Sequence, residues 1–324
     1  MLAFLLRRLG QSAAVLLSVA FISFVLFQFV GDPVAALVGQ DATPEKMAAV
    51  RAELGLDQPM VVQFQRFVAN ALHGDFGMSL RQGQKVSTLI ARAFPATLEL
   101  ALLAGLLALL AGIPLGVYTA LRRDGALAQL LMAVSLVGVS LPSFLIGIGL
   151  ILVFAVGLGW LPSFGRGEVV ALGGWTTGLL TADGWRHLLM PAVTLAAYPL
   201  TLVIRLVRAE MLEVLRADYI KFARARGLRE RSIHFGHALK NTLVPVITVV
   251  GLQLGNLIAF AVISESVFQW PGMGLMFVEA VSFADIPVMA AYLCLVALVF
   301  VAINLVVDLL YVVVDPRLRV GREH

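Results

Sequence analysis

The chain has 324 residues, 60% of them hydrophobic and 14% charged, against about 25% charged in an ordinary soluble domain. With a mean hydropathy of +0.93, too few polar side chains remain to clothe a water-soluble core, so lipid is the expected solvent for much of the chain. The single cysteine, Cys294, excludes an internal disulfide and a thiolate metal cage. The formal net charge of +4 matters less than where the charges fall.

Stretches free of Asp, Glu, Lys and Arg cover 9–31, 100–121, 125–165, 187–204, 241–264 and 286–307. Each meets or approaches the ~20 residues a helix needs to cross a ~30 Å hydrocarbon core. An all-α, polytopic membrane protein with six transmembrane helices is the simplest reading. The stretch 125–165 is long enough for a hairpin of two short helices, with Pro142 and several glycines as breakpoints. Charge resolves the parity. With six crossings and the N-terminus inside, Arg7, Arg8, Arg122, Arg123, the nine basic residues from Arg205 to Lys240, and Arg317, Arg319 and Arg322 share the cytoplasmic side, 16 of the 24 Lys and Arg. A seventh crossing would put the nine-positive segment outside. The last outer loop, 265–287, carries Glu265, Glu279 and Asp285 and no base. The first apolar run is too long for a signal-peptide core and lacks a cleavage site directly after it, so it reads as an uncleaved helix.

This divides the chain into an N-terminal helix plus an extracytoplasmic region (1–96, the region itself 31–96), a core with five helices and a cytoplasmic segment at 209–241 (97–315), and a cytoplasmic tail (316–324). Residues 31–96 balance six basic against six acidic residues. Thr43-Pro44-Glu45 predicts a helix start, with an N-cap and Pro at N1, continuing over Lys46 to Leu54 with Gly55 just beyond its end. Residues 205–241 predict a charged helix from Arg205 running on through Ala225-Arg226, a break at Gly227, and a second helix from about Ser232. Its small residues among arginines suit close approach by another protein, with a basic helix lying on anionic lipid as the alternative.

The sequence contains no G-x-x-x-x-G-K-[ST] loop for nucleotide phosphates and no G-x-S-x-G elbow. His234 and His237, spaced i, i+3, lack further ligands, so no metal site and no catalytic residue is expected. Nothing suggests nucleic-acid binding, and no internal repeat is visible. Glu99 and Asp308 are the acids in or near spans, Glu99 at the outer end of its helix and Asp308 about 10 Å from the inner end of its own. Neither lies at the midplane, where a proton-coupled carrier would place its site. Pro142, Pro191 and Pro199 are hinge candidates, though prolines also sit in membrane helices for packing alone. Thr194, Tyr198, Gln253 and Asn256 are polar groups that need water or partners inside lipid, and they are the pathway candidates.

A series of motifs in order along the chain resembles one family. Leu6-Arg7-Arg8-Leu9, Gly31-Asp32-Pro33, Leu54-Gly55-Leu56-Asp57-Gln58-Pro59, Gly74-Asp75-Phe76-Gly77, Pro95-Ala96-Thr97-Leu98-Glu99-Leu100 and Ser140-Leu141-Pro142-Ser143-Phe144 are followed by Asp218-Tyr219-Ile220, Ala223-Arg224-Ala225-Arg226-Gly227-Leu228, His237-Ala238-Leu239-Lys240-Asn241, the run from Glu265 to Gly274 and Asp315-Pro316-Arg317. Together they are similar to the first permease subunit of dipeptide, oligopeptide and nickel ABC importers, dipeptide permeases above all. Where the broader permease signature has Glu-Ala-Ala three residues before its Gly, this chain has Lys221-Phe222-Ala223 before Gly227. The Glu and the first Ala are replaced.

The resemblance implies a multi-pass subunit of the bacterial inner membrane that moves peptides or similar small solutes. A second homologous permease would complete the pore, two ABC ATPases would bind ATP and magnesium, and an extracytoplasmic binding protein would deliver substrate. This chain itself would hold no cofactor and perform no catalysis. Asp218, Tyr219 and Ala223 to Leu228 would form the helix that couples to an ATPase, with Ala223 against it. Glu265, Phe268, Pro271, Gly272 and Gly274 would belong to an extracytoplasmic gate or loop. An ion-coupled secondary carrier is the alternative, and an intramembrane enzyme is a further rival disfavoured by the missing nucleophile and ligand sets.

The charge distribution makes a topology prediction. A cysteine replacing Ser232 should resist an impermeant thiol reagent added outside intact cells, while one replacing Ala52 should label readily. Outside labelling at position 232 overturns the orientation.

Overall fold

A computed structural model describes residues 2–29, 43–53 and 57–314. The helices in chain order are α1 (Leu2–Phe29), α2 (Pro44–Glu53), α3 (Met60–Leu72), α4 (Val86–Leu121), α5 (Ala126–Ser140), α6 (Ser143–Leu150), α7 (Ala182–Val214), α8 (Asp218–Ala225), α9 (Leu239–Phe268), α10 (Met273–Ser282) and α11 (Ile286–Val314). A π-helical turn, Ile151–Gly157, extends α6, and another, Ser232–Ala238, leads into α9. The only strands among the described residues are a small pair, β1 (Val170–Leu172) and β2 (Trp175–Thr177).

Each of the six predicted apolar stretches carries helix among the described residues, the one over 125–165 as far as Gly157. Four helices are long and apolar enough to cross a membrane alone, and two bent pairs bring the count to six. One pair is α5 and α6, bent by 113°. The residue before a proline is pushed out of the helical region, and Leu141, before Pro142, is extended at φ −93°, ψ 138°. Of the three hinge candidates only Pro142 stands at a break. α7 runs unbroken through Pro191 and Pro199, which sit inside the helix without ending it. The second pair lies within α9, bent by 48° between Pro245–Gly251 and Gly255–Phe268.

Three local expectations are corrected. The second span starts at Val86, so Glu99 lies inside α4 rather than at its outer end. The charged helix from Arg205 stops at Val214, and a turn over 215–217, with Ala217 extended at ψ 149°, separates it from α8. The stretch after Glu265 is largely helical, since α9 continues to Phe268 and α10 occupies 273–282. The Thr43 expectation holds: Thr43 Oγ1 accepts from the Lys46 amide at 3.4 Å. Gly31-Asp32-Pro33, Leu54-Gly55-Leu56 and Asp315-Pro316-Arg317 with the tail lie outside the described residues.

The chain divides into two compact units. The first comprises Met1–Thr97, Ala171–Thr176 and Pro271–Val301. In it α1 meets α3 through edge contacts of Phe21 and Phe24 with Phe64, at 5.7 and 5.5 Å. Val86 and Leu89 pack with Ala280, Val288 and Ala291. Asp285 fastens this unit. Its buried carboxylate accepts from the Ser79 hydroxyl at 2.5 Å and from the Leu80 and Arg81 amides at 3.1 and 3.3 Å, which joins the segment after α3 to the turn before α11.

The second unit comprises Leu98–Val170, Thr177–Trp270 and Ala302–His324. Its centre is α7, whose Val203, Val207 and Met211 are buried with Val117 and Ala120 of α4, Ile220 and Ala223 of α8, and Val246 of α9. Small residues set the spacing. A Cβ added at Gly112 or Gly116 would lie 2.7 Å from Val203 or Val207, and one at Gly138 would lie 2.7 Å from the Ala197 carbonyl. Glycines four apart on α4 thus let two helices approach almost backbone to backbone, the usual device where lipid supplies no hydrophobic drive between helices.

Gly116→Val should overpack this contact at a cost of about 1–3 kcal/mol, lowering the thermal midpoint of the detergent-purified protein. Gly149→Ala, where nothing lies within 4 Å, should leave it within the experimental error.

Candidate functional site

The four polar residues singled out from the sequence converge. Thr194 and Tyr198 from α7 and Gln253 and Asn256 from the bend of α9 line one cleft of about 540 Å³, walled also by Pro142 and Pro199. Among the described residues no Asp, Glu, Lys, Arg or His lines it. Asn256 Nδ2 donates to Gln253 Oε1 at 3.2 Å. Thr194 is buried, and its Oγ1 finds no hydrogen-bond partner. Pro191 lies outside the cleft, and its carbonyl accepts from the Ser264 hydroxyl at 3.0 Å.

The segment 218–241 forms a second constellation. α8 buries Ile220 and Ala223 and exposes Tyr219, Phe222, Arg224 and Ala225. Ala223 therefore does not rest on an outer surface as expected, because it fills the chain's own core beside Ile220 and Ile233. The exposed face is carried instead by Phe222, 66% accessible, and Leu228. Gly227 ends the helix at φ +76°, a left-handed position where any Cβ is strained. Its amide donates to the Arg224 carbonyl at 2.9 Å. Across this turn Arg224 Nε donates to Glu230 at 3.0 Å, and that guanidinium holds the exposed Glu230 carboxyl below its usual range. Likewise the Lys221 ammonium, 2.8 Å away, lowers the Asp218 carboxyl. Asn241 Nδ2 donates to the Tyr219 hydroxyl at 2.7 Å, tying α8 to the start of α9. His234 faces Glu230 at 3.0 Å.

The gate candidates are packed rather than loose. Glu265, Phe268 and Trp270 are fully buried at the end of α9, where Gln269 adopts φ +46° and the Trp270 amide donates to the Glu265 carbonyl at 2.9 Å. Pro271 and Gly272 lead into α10, with Gly272 as its N-cap and Gly274 buried in its first turn.

One arrangement here had no counterpart in the sequence reading. Glu99, considered only as a proton-relay suspect, is buried and accepts from Arg166 Nη2 at 2.7 Å. The Gly178 amide approaches the same carboxylate oxygen at 3.5 Å. The Arg166 guanidinium lies 5.8 Å from the Trp270 ring centre, and the neighbouring Gly165 amide donates to the Phe268 carbonyl at 2.9 Å. The available signal was an acid between two leucines and, 67 positions on, a base between two glycines.

Comparison with known proteins decides the family. The profile described as "Binding-protein-dependent transport system inner membrane component" matches residues 112–320, and its N-terminal companion matches 1–101. The chain belongs to this permease family. Over 98% of its length the permease is 37% identical to the dipeptide transport system permease protein DppB of Alkalihalophilus pseudofirmus, covering 100% of that protein. It is 40% identical to the di/tripeptide transport system permease protein DppB of Pseudomonas aeruginosa and 38% to the glutathione transport system permease protein GsiC of Salmonella paratyphi A, covering 99% of each. A chain of the MetNI methionine ABC transporter, in an inward-facing conformation, shares the fold with a TM-score of 0.56 at 19% identity, over 70% of this permease and 96% of that chain. The fold is thus that of a multi-pass membrane permease, as the apolar pattern required.

The buried ion pair generates a test. Arg166→Met strands the Glu99 charge, and breaking a buried pair costs about 3–5 kcal/mol. The single variant should show a sharply lowered thermal midpoint in detergent, and Glu99→Leu/Arg166→Met should recover much of it.

Proposed function

We propose that this permease is the first membrane subunit of an ATP-driven importer of dipeptides or short oligopeptides. Full-length similarity to permeases of dipeptide, di/tripeptide and glutathione systems carries the reading. The neutral polar cleft between α7 and α9 supports it, because a solute crossing lipid needs polar partners that the hydrocarbon does not supply. In this reading Thr194, Tyr198, Gln253 and Asn256 line the pathway, a second homologous permease completes it, and the N- and C-termini face the cytoplasm. An extracytoplasmic binding protein delivers solute near Glu265 to Gly274. Two ABC ATPases bind ATP and magnesium and perform the hydrolysis, while this chain forms and breaks no covalent bond.

The exposed face of α8 serves as the coupling surface. Phe222 is a large apolar side chain left in the open among Lys221, Arg224 and Arg226, the kind of anchor that fills a partner's pocket. Closure of the ATPases on ATP moves α8, and the spans reorient between two access states.

Phe222→Ser and Gly227→Val permeases should insert normally yet retain the ATPases poorly in pull-downs. They should also lose several-fold of the ATP turnover stimulated by the binding protein in reconstituted vesicles. A lipid-surface role for α8 predicts wild-type values for both measurements with Gly227→Val, and that outcome removes the coupling assignment.

A further inference from the structure

We propose that the Gln253–Asn256 pair, with the Thr194 hydroxyl, is a recognition point for the peptide group itself, reading its N–H and C=O rather than any side chain or charge. The inference rests on the peptide-importer reading and specifies what the cleft would grip.

Two side-chain amides joined by one hydrogen bond keep one carbonyl and one NH2 uncommitted to each other, whichever of the two donates. As placed, Asn256 Nδ2 donates to Gln253 Oε1, so Gln253 Nε2 and Asn256 Oδ1 are the donor and acceptor that this bond leaves over among the described residues. This donor and acceptor are the complement of a peptide group. Three further observations point to a ligand. Thr194, only 1% exposed, holds a hydroxyl without a partner on the cleft wall, and such a group costs about 1–3 kcal/mol while it stays unpaired. Pro199 brings no N–H to the carbonyl of Leu195, another wall residue. No ionised side chain among the described residues lines the cleft, so its selectivity falls on neutral hydrogen-bonding groups. Gln253 lies where α9 bends between its two halves, which sets its amide apart from a regular helix face.

A site of this kind is indifferent to side chains, because every peptide carries the same group. It separates secondary amides from solutes lacking the N–H, whose passage would leave Asn256 Oδ1 unpaired.

The test compares ATP-driven uptake of alanylglycine with alanylsarcosine, which lacks the peptide N–H, by the complete complex in proteoliposomes. The binding protein's own preference is common to wild type and variants, so the change in the uptake ratio isolates the permease. In Gln253→Met/Asn256→Leu the preference for alanylglycine should fall about three- to tenfold, the loss of about one hydrogen bond. The exchanged pair Gln253→Asn/Asn256→Gln, which keeps both amides, should retain most of it. Should a double variant fail to reach the membrane, Gln253→Met alone is read by the same ratio. An unchanged ratio, while the wild type still imports alanylglycine, overturns the recognition point and leaves the peptide-importer reading standing. Failure of the wild type to import either dipeptide overturns both. Loss of the second permease on co-purification of the variants makes the pair an interface between subunits and likewise overturns the inference.

Discussion

The second unit depends on how closely α7 can be approached. Lipid gives no hydrophobic reward for bringing two apolar helices together, so the contact must come from dispersion across a short distance. Gly112 and Gly116 on α4 and Gly138 on α5 supply that distance. Once α7 is gripped on those sides, its buried residues define the core into which Ile220, Ala223 and Val246 pack. Its remaining polar face, Thr194 and Tyr198, is left to wall the cleft. Bulkier residues at those positions would push α4 and α5 away from α7 and disturb both the cleft and the seat of α8.

Polar satisfaction governs what surrounds that core. Glu99 and Arg166 bring opposite charges together where neither would be tolerated alone. In the first unit Asp285 gathers three donors from a segment over 200 residues away in sequence. Both arrangements sit beside runs that the helical pattern alone leaves irregular, and both replace solvent as the partner of a buried carboxylate.

The spans were legible because a helix in lipid must be apolar over a fixed length, a rule that charge-free intervals test directly. Gly227 was legible because a glycine just past a helical run is the usual left-handed residue that ends it, and its φ of +76° agrees. Thr194, Tyr198, Gln253 and Asn256 could be named, since polar side chains inside apolar runs are few, and their meeting in one cleft lies beyond what spacing can say. The inward turn of Ala223 was not legible. It accompanies the break over 215–217, and no local propensity announces a break at Leu215-Arg216-Ala217. The Glu99–Arg166 pair and the Asp285 knot escaped for a related reason: long-range pairing has no period in the sequence.

The tie between Asn241 and Tyr219 gives α8 a mechanical character. Together with the Arg224–Glu230 bond across the Gly227 turn, it makes the short helix and the first turns of α9 a single stiff arm rather than two links. Gln253 stands twelve residues along that arm from Asn241, about 18 Å of helix, and the 48° bend follows there like an elbow. Between α8 and the α9 wall of the cleft the chain is therefore helix and turn held by side-chain bonds, not a long loop.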